Sequence, residues 1–163
     1  MLCSDLLYSA GQLRREPMRL RAGNEADATR IRALLEAEDL PTRDLSTSTP
    51  QFLVVSDERD EAFAVGGLQW FGKTALLRSV VVAPFARGTG LGQKVVHALE
   101  DAARDGRADQ LVLLTLTAQS FFERQGYRVI ERGSVPDDVQ ASEEFRSLCP
   151  ASAICMAKKL VSA

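Results

Sequence analysis

The sequence is poor in the residues that build metal centres and membrane spans. It holds one histidine, His97, and three cysteines, Cys3, Cys149 and Cys155. These form neither a C-x-x-C pair nor a Cys/His cluster, so no metal site is expected. An odd, dispersed set fits reduced thiols and a cytoplasmic setting. No apolar run approaches the ~20 residues needed to cross a bilayer. Leu6, Leu7 and Tyr8 are too short a run for a secretory leader. An excess of one charge is also lacking. The net charge is −2, with acids and bases interspersed, so neither nucleic acid nor an anionic membrane is expected as a partner. The glycine-rich stretch 88–92 lacks the Gly-Lys-Ser/Thr ending of a P-loop, and Gly72-Lys73-Thr74 falls between two expected strands, where a P-loop needs a helix to follow.

What is present suffices for one ordinary domain. The chain has 163 residues, 45% of them apolar and 26% charged, enough to bury a real core. Residues 1–17 show no clear period and read as an N-terminal extension, partly disordered or a surface helix. Residues 18–163 read as one domain without internal repeats.

The chain is organised around residues 80–93, VVVAPFARGTGLGQ. Three successive valines favour a strand covered on both faces. Pro84, having no N–H to donate, ends its ladder. Gly88, Gly90 and Gly92 then free the backbone so that successive N–H groups can converge. On a helix N-terminus such a nest is an anion site. Arg87 stands beside it and can clamp a phosphate. The glycines fall as G-x-G-x-G, a poor fit to the dinucleotide fingerprint. Arg-x-x-Gly-x-Gly after a Val-x-Pro strand end fits at every position.

That pattern resembles the acetyl-CoA signature of the GNAT N-acetyltransferase superfamily, and the resemblance runs from about Met18 to Leu160. It implies an α/β (α+β) fold: a mixed, mostly antiparallel sheet of about seven strands, helices on both faces, and a splay between the fourth and fifth strands. It also implies acetyl-CoA as co-substrate and acetyl transfer to an amine. Carried over by position, Val80, Val81 and Val82 meet the pantetheine arm and the thioester carbonyl through the backbone. Arg87, Gly88, Thr89, Gly90, Leu91, Gly92 and Gln93 hold the pyrophosphate. Homodimers are common in the superfamily.

The chain departs from the superfamily at its chemistry. Many relatives place a Glu on the central strand, whereas Leu76, Leu77, Arg78 and Ser79 offer no carboxylate. A water chain or a residue of another loop then has to act as base. The frequent catalytic Tyr aligns with Phe122, which has no proton to give, leaving the hydroxyls of Thr115, Thr117 and Ser120 as candidate acids. Residues 114–127 resemble the acetyltransferase domain of N-acetylglutamate synthase, and residues 148–153 resemble small GNAT proteins associated with arsenic resistance. Both imply a small amino-acid-like, anionic amine as acceptor, with Arg78, Ser79, Cys149 and Ser152 lining its pocket. Arg78 alternatively makes an internal salt bridge, and Cys149 alternatively is a small buried hydrophobe. A peptide acetyltransferase and a non-catalytic CoA-binding module are the competing functions.

Elsewhere the patterns are ordinary. Asn24 and Asp27 predict a capping box before a helix that stops ahead of Pro41. Residues 41–50 read as a surface loop; the resemblance alternatively lays this segment over the acceptor site, with Arg43 and Asp44 facing substrate. Trp70 and Phe71 are core or a wall of the acceptor pocket. Leu91, Val95, Ala98, Leu99 and Ala102 predict the buried stripe of residues 91–104, leaving His97 and Glu100 in solvent.

Overall fold

Each strand of the sheet alternates its side chains between two helical layers. The computed structural model describes residues 17–161, so all of the expected extension but Pro17, Cys3 included, falls outside the described residues. Strands β1 (Arg19–Ala22), β2 (Gln51–Ser56), β3 (Ala62–Phe71) and β4 (Thr74–Val82) form an antiparallel run. Strand β5 (Gln110–Thr115) adds parallel to β4, and β7 (Ile154–Lys159) and β6 (Arg128–Val129) complete the order β1-β2-β3-β4-β5-β7-β6. This is the expected seven-stranded, mostly antiparallel sheet, with β4–β5 as its parallel pair.

One face packs on α3 (Leu91–Asp105) and α4 (Gln119–Arg124), through Val95, Leu99 and Phe122 among others. The other is covered by α1 (Ala28–Ala37) and α2 (Leu45–Ser48) over Val54, Val65 and Val81. On that same face α5 (Asp137–Gln140) and the wide turn Glu144–Leu148 cover Leu76 and Val112. The capping box forms as expected: Asn24 and Asp27 cap each other's backbone at a short 3-10 turn leading into α1. Gly66 explains how closely α3 approaches β3, since a Cβ there would lie 2.7 Å from both Val95 and Leu99.

Several expectations are corrected. Glu100 is buried rather than solvated: Lys158 Nζ donates to both of its carboxylate oxygens at 3.0 Å, tying α3 to β7. The buried stripe of α3 also takes in Val96 and Ala103, while Ala102 packs half-buried against the same core and Ala98 lies half-buried at its margin. Trp70 lies at the β3–β4 turn and covers Gly106, where a Cβ would fall 2.3 Å from its ring. It is thus committed to the end of α3 and does not wall the bulge region of β4.

Candidate active site

Strands β4 and β5 pair only over Thr74–Leu76 and Gln110–Val112. Beyond Leu76 the two strands have no paired residues, and β5 turns its ladder to β7 as far as Thr115. The edge of β4 from Leu77 to Val82 therefore has no ladder partner on that side. This is the expected splay, and backbone N–H and C=O groups at such an edge must find another partner.

A bulge sits in the splayed half. Gly67 faces Arg78 and Val65 faces Val81, so Ser79 and Val80 share the space opposite one residue of β3. Ser79 takes up the extra length in a left-handed conformation, φ +56°. A non-glycine residue is rarely held there, and such strain clusters at functional sites. The extra residue also reverses the phase of the strand. Ala75 and Leu77 face α3 before it; Val80 and Val82 face α3 after it, while Val81 joins the core under α1. Bulges re-aim strand groups in this way.

Past Val82 the chain makes one 3-10 turn, Pro84–Ala86, and enters the glycine loop. Gly88 and Gly90 are left-handed, φ +75° and +82°, and Gly90 caps the N-terminus of α3. A Cβ at either would meet nothing within 4 Å, so the loop surrounds open space rather than packed side chains. The Thr89 hydroxyl donates to the Ala86 carbonyl at 2.5 Å and holds the turn. A Cβ at Gly92 would come within 3.5 Å of both Phe121 of α4 and Val82, so α4 and the end of β4 lie close beside the start of α3. Arg87 donates through Nε to the Val82 carbonyl at 3.2 Å, and its Nη2 pairs with Glu38 at 2.6 Å. The clamp expected for a phosphate is thus held to the end of α1, with its side chain half-exposed.

On the other face of β4 the structure gives Arg78 its internal salt bridge. The guanidinium is buried and meets Asp44 through two bonds, Nη1 to Oδ2 at 2.5 Å and Nη2 to Oδ1 at 2.8 Å. Gln69 accepts a further bond at 3.1 Å. Glu144 Oε2 lies 3.0 Å from Arg78 Nη2, but off hydrogen-bond geometry, so this buried oxygen has no hydrogen-bond partner. Burial works against ionisation of Asp44, yet Arg78 outweighs it and holds the carboxyl below its usual range. The Cys149 thiol donates to Glu144 Oε1 at 3.3 Å. Burial, aided by the Glu144 charge, pushes that thiol up to about 12, so it stays protonated and is no nucleophile.

Of the acceptor-pocket residues expected from the sequence, the structure brings Arg78, Ser79 and Cys149 to one cluster, while Ser152 stands exposed on the turn before β7. Of the other cluster members, Asp44 is the alternative substrate-facing residue of the 41–50 segment, whereas Glu144 escaped sequence reasoning on a segment read as a plain connection. Among the candidate acids, Thr115 is half-buried and its hydroxyl accepts from Ala118 N at 3.0 Å. Thr117 and Ser120 are exposed. Phe122 is buried between Phe121 and Tyr127 in two edge-on ring contacts.

A sheet that parts at its middle, with a glycine loop and helix N-terminus at the open end, defines a coenzyme A-dependent acyltransferase scaffold. Residues 48–129, about half of the chain, match the model of the acetyltransferase (GNAT) domain. The chain belongs to this GNAT acetyltransferase family.

A search of curated proteins found no match. Solved structures share the fold. N-acetylglutamate synthase from Neisseria gonorrhoeae, complexed with coenzyme A and L-arginine, superposes with a TM-score of 0.75 at 18% identity. The match covers 88% of this chain and 33% of that one, so this chain spans about a third of the synthase's length. Rv2747 from Mycobacterium tuberculosis, solved with CoA, gives 0.75 at 23% identity over 88% of this chain and 99% of that chain. Tetrahymena GCN5 gives 0.72 at 9% identity, covering 89% and 98%. Among the described residues, no helix is long and apolar enough to cross a membrane.

Proposed function

We propose that this chain transfers the acetyl group of acetyl-CoA to a small amine by direct attack on the thioester. The observation that carries this is the parting of β4 and β5 after Leu76, with left-handed Gly88 and Gly90 at its open end. The loop fits a diphosphate: its side-chain-free space admits phosphate oxygens, and α3 supplies N-terminal N–H groups. Arg87 and residues 88–93 would take the phosphates, and Val80–Val82 the pantetheine arm. An amide of the bulge near Val80 would polarise the thioester carbonyl, a contribution typically of ~3–4 kcal/mol to the barrier. Holding amine and thioester together supplies much of the rest.

The acceptor we favour is a small amino-acid-like amine, on the strength of the resemblance in residues 114–127 and 148–153. The Arg78 pairing changes how such an acceptor would be held. Its guanidinium is already committed to Asp44, so a carboxylate of the acceptor must be met by other groups of the pocket. Arg78 instead ties the 42–48 segment, through Asp44, and the 144–149 turn, through Glu144, to β4 beside the bulge. As acid, Thr115, Thr117 and Ser120 remain candidates, and a thiolate leaving group needs little help near neutral pH.

Thiol release from acetyl-CoA across amino acids, their phosphinate analogues, polyamines and short peptides tests this reading. Turnover confined to small amines is expected. Turnover on peptides alone would transfer the chain to protein acetylation. The second reading, a CoA-binding module without catalysis, is favoured by one observation, the ring of Phe122 where relatives often have Tyr. Tight CoA binding with no turnover on any acceptor would establish it.

A further inference from the structure

Arg87 stands between two anions. Its Nε is fixed to the Val82 carbonyl at 3.2 Å, and its Nη2 lies 2.6 Å from Glu38 Oε2. A two-point grip on a phosphate needs Nη1 and Nη2 side by side, so Glu38 holds one of the two nitrogens that a diphosphate would take. Helix stability does not explain the place of Glu38. It caps the C-terminal end of α1, where the helix dipole disfavours an anion. The last turn of α1 has no basic residue, and Glu36 and Asp39 add further acids beside it. Glu36 meets Thr42 and Arg32, whereas Glu38 meets Arg87. The α1–α2 connection therefore lays a carboxylate on each arginine that flanks the splayed half of β4, Asp44 on Arg78 and Glu38 on Arg87. The two pairs differ in how firmly they close. The side chains of Arg78 and Asp44 are each 1% exposed, those of Arg87 and Glu38 52% and 29%. A buried pair is costly to separate, but one open to water can exchange partners.

We propose that Glu38 competes with the coenzyme diphosphate for Arg87 and thereby sets coenzyme affinity. This rests on the acetyl-transfer reading above, which brings the diphosphate to residues 87–93. Glu38 occupies the clamp until the diphosphate displaces it. The exchange replaces a carboxylate by a group of higher charge, and Glu38 passes into water, to which its side chain is already open. The affinity that remains is net of the pair that is broken. A carboxylate that stayed beside the phosphates would add like-charge repulsion, so Glu38 opposes binding on either course. Displacement also frees the coenzyme-side end of the α1–α2 connection, while Asp44 keeps its acceptor-side end on Arg78.

The test is a double-mutant cycle of CoA affinity, measured by calorimetry at low ionic strength on the unaltered chain, Glu38→Gln, Arg87→Ala and the two combined. Glu38→Gln should lower the dissociation constant about two- to fivefold, the range of an exposed ion pair. The gain should shrink in the Arg87→Ala background and as added salt screens the pair. Tighter binding is a result that losing a merely structural contact would not give. Unchanged or weaker binding by Glu38→Gln overturns the proposal, the weaker case making Glu38 a support that orients Arg87. An equal gain in both backgrounds also overturns it, because charge repulsion alone then accounts for the gain. Binding that ignores Arg87→Ala removes Arg87 from the phosphates and the competition with it, while leaving the acetyl-transfer reading in place. Absence of CoA binding by the unaltered chain overturns that reading itself.

Discussion

The two faces of β4 solve different problems with different materials. On the α3 side, the loop 87–93 is built from backbone: two left-handed glycines, a helix N-terminus and open space. On the α1 side, the Arg78 cluster is built from side chains that are far apart in sequence, Asp44, Gln69 and Glu144. A backbone site is written in consecutive residues, because φ > 0 and freedom from Cβ are properties of single positions. A side-chain site depends on which segments the fold brings together. On the proposed reading the first would bind the constant part of a substrate, and the second would be where one acetyltransferase differs from another.

The comparison is broken most severely at Arg78. Arg78→Ala leaves two carboxylates buried without their cation, which should cost about 3–5 kcal/mol of stability, read from denaturant unfolding. Any CoA affinity the variant retains while folded should match the parent, because the backbone loop does not touch Arg78. A stable Arg78→Ala protein would show that the cluster is hydrated rather than closed.

Gly90→Ala should invert the pattern. The left-handed conformation costs an alanine roughly 1–2 kcal/mol, and the new methyl enters the open space of the loop. CoA affinity should drop by about tenfold or more, equivalent to losing one charge-assisted hydrogen bond, with the acceptor-side cluster intact. Arg87→Ala should act in the same direction at the lower end of that scale, about 1.5 kcal/mol. Half-exposed and shared with Glu38, Arg87 contributes charge from the edge of a site whose centre is main chain.

The smallest effect is on acid stability. Two hydrogen bonds from Arg21, at 2.7 and 2.8 Å, hold the Asp27 carboxyl at about 2 despite its burial. Asp44 is also lowered, Arg78 prevailing over the cost of burial. Both folded-state values lie below the ~3.9 of an unfolded aspartate. Their stabilisation is therefore complete above about pH 4 and is lost as pH falls towards 2. Unfolding midpoints measured from pH 5 to 2 should show this slope, and Asp27→Asn together with Asp44→Asn should flatten it.

Legibility in the sequence followed the same division. The glycine loop, the capping box at Asn24, the seven strands and the β4–β5 splay could all be expected from local chemistry and the resemblance it supported. The bulge at Ser79 could not, because nothing in Arg-Ser-Val-Val says which residue takes a left-handed turn; only the register against Gly66 and Gly67 reveals it. Glu144, and the pairing of Asp44 with Arg78, were hidden in polar segments whose composition suits solvent. Glu100 misled for the converse reason. Its neighbours on α3 are charged, and the partner that justifies its burial, Lys158, is on the last strand.

The central claim is that main-chain N–H groups of residues 88–93 grip the diphosphate of the coenzyme. Amide resonances of the isotope-labelled protein, followed while CoA is titrated in, test it most directly. The account predicts that the largest shifts fall on Gly88, Gly90, Leu91, Gly92 and Gln93, and that Val80 and Val82 move with them. No binding, or shifts confined to the β6–β7 side while the loop amides stay still, would contradict it.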